Sequence, residues 1–117
     1  MDALRAGVLV LLTGLTGGVR ALETGCTRPE APVVPDGARA SRAELLTAGE
    51  AVRAFVAASE SYLACLEARE AARGDDLTAR QRARMDAIQD AGVEAMRTAA
   101  DAYNEALRVY RARPDAS

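Results

Sequence analysis

Between residues 41 and 73, apolar or small side chains return every three or four positions, at Leu45, Ala48, Val52, Phe55, Ser59, Tyr62 and Leu66. That spacing draws one stripe along an α-helix and fits no strand, whose period is two. Ser41 and Glu44 form the S-x-x-E box that closes a first helical turn, and Gly74 is the residue type that ends a last one. After a turn at 75–77, Thr78 and Gln81 repeat the box as T-x-x-Q. A second stripe follows at Met85, Ile88, Gly92, Met96, Ala99, Tyr103, Leu107 and Tyr110, with Asp86, Gln89, Asp90, Arg97, Asp101 and Glu105 on the wet side. A connection this short makes the helices antiparallel neighbours. The expected fold is all-α: an antiparallel two-helix hairpin of coiled-coil type, with helices at about 41–73 and 79–112 in a unit spanning 41–113. A frayed tail is expected at 114–117.

Such a hairpin has a thin core. Roughly a quarter of the 117 residues are alanine, which favours helix and fills little volume. The chain has one Phe, three Tyr and no Trp. Something else is needed to cover the seam. A second row on the first helix, Ala51, Ala58, Cys65 and Ala72, repeats every seven residues and offers a track where another backbone can come close.

The N-terminal part supplies that backbone. Residues 1–21 read as a secretory signal peptide: Arg5 gives the charged start, 6–19 run without charge, and Val19-Arg20-Ala21 offers a cut site, with Arg20 an untidy member. The run is glycine-interrupted and shorter than the ~20 residues a bilayer-spanning helix needs, so membrane contact is expected only through this segment if it is retained. Cys26 follows Glu23-Thr24-Gly25 rather than a Leu-led small tripeptide, which argues against lipidation. Residues 22–40 form a linker in which Pro29, Pro32 and Pro35 recur at the period of polyproline II, putting three rings on one face of an extended arm. Asp36-Gly37 reads as a turn.

Two cysteines in an exported chain most simply form one disulfide, Cys26 to Cys65. The reach permits it. From Ser41 to Cys65 is about 36 Å at the helical rise, and from Cys26 to Ser41 about 46 Å at the polyproline rise. The arm can therefore fold back along the Ala51-Ala58-Cys65 row. Interpolation puts Pro29 near Tyr62, Pro32 near Phe55 and Pro35 near Tyr103. Redox enzymes place their thiols close together, as in C-x-x-C; these stand far apart, which favours a structural bridge over a redox pair or free thiols.

This plan resembles the pancreatic-polypeptide type of arrangement, in which a proline arm folds back on a helix; the likeness implies architecture and no function. Cys26-Thr27-Arg28-Pro29, Pro32, Pro35-Asp36-Gly37 and Tyr62-Leu63-Ala64-Cys65-Leu66 together also resemble the pattern of small exported proteobacterial helical-hairpin proteins of unknown function. That similarity covers about residues 26–110 and implies no functional residues.

Composition narrows the chemistry. With no His and no Lys, catalytic triads, the usual zinc ligands and haem attachment fall away, and serines lack an evident base. Neither catalytic nor metal-ligating residues nor a cofactor are expected. Asp86 and Asp90 share a face without a third ligand, and Met85 and Met96 are stripe residues. A net charge of −2 and a pI near 5.2 argue against a nucleic-acid binder. Arg80, Arg82 and Arg84 alternate around their helix among acidic neighbours and read as a solvated, locally paired cluster. Val56, Leu63 and Val93 lie beside the stripes, and Tyr103 and Tyr110 fall near the open end; these five are the candidate interaction surface. The function expected is that of a periplasmic or extracellular structural or protein-interaction module, its partner an envelope protein or a second copy. The alternative is a small-ligand or membrane-surface binder using a groove between arm and hairpin.

Overall fold

A computed structural model describes residues 25–115; the expected signal segment at 1–21 lies outside them. Two long helices follow the arm: α1 (Arg42–Arg73) and α2 (Ala79–Arg111), joined by a single 3-10 turn (Gly74–Asp76). The fold is an all-helical two-helix hairpin.

Each helix starts where its local chemistry puts it. Ser41 Oγ accepts from the Glu44 N–H at 3.0 Å while Glu44 Oε1 accepts from the Ser41 N–H at 2.8 Å. Thr78 and Gln81 make the same reciprocal pair at 3.1 and 2.8 Å. These bonds satisfy donors that have no partner inside the helix. The backbone and hydroxyl of Ser41 hold the Glu44 carboxyl below its ordinary value of 4.5. Gly74 ends α1 at φ 52°, a left-handed angle at which a side chain is strained, and its N–H returns to the Glu70 carbonyl.

Contacts across the seam show the helices to be antiparallel. Gly49 meets Tyr103, Leu63 meets Gly92, and Glu70 accepts from Gln89 at 3.2 Å, so partner numbers rise on α1 as they fall on α2. Each stripe residue of α1, from Leu45 to Leu66, is buried, and Leu66 is wholly so. The stripe of α2 is shallower: Gly92 and Ala99 are buried, with Met85, Ile88, Met96, Tyr103, Leu107 and Tyr110 half-buried. Two of the fits use glycine. The Tyr103 ring lies where a Gly49 side chain would be, and Leu63 Cδ2 stands 3.0 Å from where a Gly92 Cβ would begin.

Two clusters form the core. Near the open end Ala40, Leu45 and Ala106 are joined by Leu107 and Tyr110. In the middle Val52, Phe55 and Ala99 are joined by Val56, Ala95, Met96 and Tyr103. Val34 of the arm packs against both.

Two glycine substitutions separate packing from backbone strain. Gly49→Ala improves helix propensity by about 1 kcal/mol, yet its methyl group collides with Tyr103, and overpacking of this kind costs about 1–3 kcal/mol. A lower urea midpoint is expected for G49A, restored when Tyr103→Leu is added. Gly74 has nothing within 4 Å of a Cβ, so G74A should cost about 1–3 kcal/mol through its positive-φ backbone alone, with no second-site rescue from α2.

Candidate functional site

The arm is held at both ends. At its far end Cys26 and Cys65 are joined by a disulfide that spans 39 positions, with Cα atoms 5.9 Å apart, an ordinary spacing for such a bridge. At its near end Asp36 organises a turn: its carbonyl accepts from the Arg39 and Ala40 N–H groups, and Oδ1 accepts from the Ala38 N–H at 2.9 Å. Gly37 presses on α2 so closely that a Cβ would clash with the Ala106 carbonyl oxygen. Arg113 then locks the turn, donating from Nη1 to the carbonyls of Gly37 at 3.1 Å and Ala40 at 2.7 Å.

Arg113 is itself oriented from two sides. Its guanidinium carbon lies 5.0 Å from the centroid of the Tyr110 ring, and its Nε and Nη2 meet Asp115 at 3.2 and 3.0 Å. The hydrogen bond from Arg113, first among several causes, holds the Asp115 carboxyl below its ordinary value of 3.8. Within the tail expected to fray, Asp115 is thus engaged, while 116–117 lie outside the described residues.

Between its two ends the arm is extended, and among the described residues no backbone–backbone hydrogen bond involves 27–35. Cys26, Pro29, Pro32 and Pro35 are half-buried at the polyproline period of three, while Thr27, Arg28, Glu30, Ala31 and Val33 are exposed. The arm does not keep to the alanine row of α1: Ala51 and Cys65 are half-buried but Ala58 is exposed. Pro32 and Val34 lie beside Ala95, Ala99 and Ala102 of α2, and Val33 and Pro35 beside Ala48 and Ala51 of α1. A groove between two helices lets an extended chain bury atoms on both sides, which a row on one helix does not. The arm residue inserted into the core clusters is Val34, a contribution the proline spacing did not indicate.

Of the five residues expected to form an interaction surface, four are used in part by the hairpin. Val56 and Tyr103 pack on the middle cluster, Tyr110 on the open-end cluster, and Leu63 on Gly92. Tyr103 reaches across to Gly49 of α1. Val93 remains 41 % exposed, and two residues outside that set, Leu46 and Val33, are 54 % and 93 % exposed. Arg113 carried no warning in the sequence, since its partners are distant carbonyls; Gly37 was read as part of a turn, but its contact with the Ala106 backbone was not. Gly49 did carry one, because a glycine inside a helix calls for a packing reason.

The hairpin turn binds itself. Arg82 donates to the Gly74 carbonyl at 3.2 Å and pairs with Glu70 at 3.7 Å. No group of three or more His, Cys, Asp or Glu among the described residues is placed to hold a metal ion, and no helix among them is long and apolar enough to cross a membrane. Comparison with protein-family models, with curated proteins and with solved structures finds no match to this chain.

Adjacent valines provide a test of the arm's register. Val34→Ala should cost about 1 kcal/mol, as expected for a partly buried valine, whereas Val33→Ala should stay within about 0.5 kcal/mol of wild type; urea midpoints of the two variants decide. The clamp predicts an acid response. Because the folded Asp115 carboxyl sits below 3.8, its pairing adds stability above that value and loses it as the pH falls through the lowered folded value. Asp115→Asn should flatten this limb of a stability profile between pH 5 and 2 (about the range over which such carboxylates titrate) without changing stability's slope near neutrality.

Proposed function

We propose that this chain is an exported cell-envelope protein whose folded part serves as a structural or protein-interaction module. The observation that carries the reading is the disulfide between Cys26 and Cys65, because such bridges persist where the surroundings do not reduce them. The signal-like start at 1–21 supports export, with a periplasmic or extracellular destination. A closed loop of this length adds roughly 4 kcal/mol in the chain-entropy model, as much as a small helical core supplies by itself. We place the chain with the small exported proteobacterial helical-hairpin proteins it resembles. Its partner is an envelope protein or a second copy, met through the open flank carrying Val93.

A second reading draws on one feature: an open groove of about 510 Å³ between the arm and α2, whose lining includes Pro32, Val34, Ala95 and Ala99 together with Arg28 and Glu94. Its apolar floor suits a small ligand or a lipid surface.

Fusing residues 1–40 to an alkaline phosphatase that needs disulfides to be active tests export; an inactive fusion retained inside the cell sinks it. A photo-crosslinking residue at position 93 of the full chain should yield a discrete adduct, with sedimentation telling a second copy from another protein. Absence of an adduct, together with co-sedimentation with anionic vesicles, would favour the second reading.

A further inference from the structure

We propose that the partner is a second copy of this chain, laid antiparallel on the flank of the hairpin opposite the arm, so that the open end of each hairpin covers the turn end of the other. This rests on the module reading above and names its partner.

The two sides of the seam are built differently. On one side the arm lies beside Ala48 and Ala51 of α1 and Ala95, Ala99 and Ala102 of α2. The helical period puts Gly49, Val56 and Leu63 on the other flank of α1, and Val93, Ala100 and Leu107 on the other flank of α2. Val56, Leu63, Ala100 and Leu107 are only half-buried there, and Val93 is 41 % exposed. Leu46, 54 % exposed, extends this apolar strip towards the open end. An apolar strip left half-covered between two helices is a place where another chain can pack.

The charges that flank the strip are sorted by end, and they choose the occupant. Towards the open end stand Arg42 and Arg53 on α1 with Arg97 and Arg111 on α2; towards the turn stand Glu60 and Glu67 on α1 with Asp86 and Asp90 on α2, and all are exposed. Arg97 is shared with Glu94 at 3.3 Å, while the others make no ion pair among the described residues. Nearby charges leave the sorting intact: Arg82 is paired with Glu70 at 3.7 Å, and by helical spacing Glu50 and Asp101 fall on faces turned away from the strip. Such a face repels a copy laid in the same direction and attracts one laid in the opposite direction. Two hairpins stacked on it can be related by a two-fold axis along the helices or by one across them. The first brings like ends together. The second brings Arg53 of each copy over Glu60 of the other, because these two residues straddle the middle of α1, and it makes a four-helix bundle. From the helical rise and two helix diameters the face measures about 45 Å by about 20 Å, room for the roughly 800 Å² per partner of a standard interface.

The experiment is sedimentation equilibrium on the full chain and on charge variants at Arg53 and Glu60, with helical circular dichroism to show that each variant is folded. The wild type should be a dimer. Arg53→Glu alone and Glu60→Arg alone set like charges against each other at both symmetric contacts, and each should weaken the dimer about tenfold. Mixed in equal amounts, the two variants should form a heterodimer of wild-type affinity, since every such contact then joins opposite charges. The double variant R53E/E60R should regain the homodimer for the same reason. A dimer unchanged in both single variants overturns the proposal, as does failure of the mixture and of the double variant to recover. A wild type still monomeric at about 1 mM overturns it too, and a photo-crosslinking residue at position 93 then separates two cases. A discrete adduct with another envelope protein removes the second copy as partner and leaves the module reading standing; no adduct sinks both.

Discussion

Two alanine-rich helices side by side bury too little, and the closing of one side of their seam by an extended arm is the constraint on which the rest of this structure depends. Among the described residues the arm makes no backbone–backbone hydrogen bond between 27 and 35. It stays because it is tied at Cys65 and at Arg113, and because Val34 joins two clusters that would otherwise be separate. One covalent and one charge-assisted tie thereby stand in for the large side chains the helices lack.

The same economy governs the helix–helix contact. Where aromatic side chains are few, each is seated with care: Tyr103 over Gly49, Tyr62 and Phe55 within the α1 stripe, Tyr110 against the open-end cluster and under Arg113. Glycines at the receiving positions leave room for the Tyr103 and Leu63 side chains. Positions set aside as a binding surface are consequently drawn into the seam, and Val93 is left as the member most open to a partner.

Much of this was legible from residue order. Both capping boxes form with the partners their spacing names, because a cap is decided within four residues. The α1 stripe is buried from Leu45 to Leu66 since a helical period leaves one face to bury. The cysteine pairing followed from count and reach. Val56 and Leu63 were expected beside the stripes as part of an interaction surface, and spacing could not say that Gly92 would receive Leu63.

By itself, then, the sequence determined where each helix starts and stops, which face it buries, and which two cysteines meet. These rest on hydrogen bonds closed within a turn, on periodicity, and on chain length. Only the tertiary structure decided that Val34 and not Val33 enters the core, that Tyr103 lies on Gly49, and that Arg113 holds the carbonyls of Gly37 and Ala40. An extended segment without internal hydrogen bonds has no preferred rotation about its own axis. Its inward side is chosen by the groove that receives it, and that groove exists only once both helices have packed.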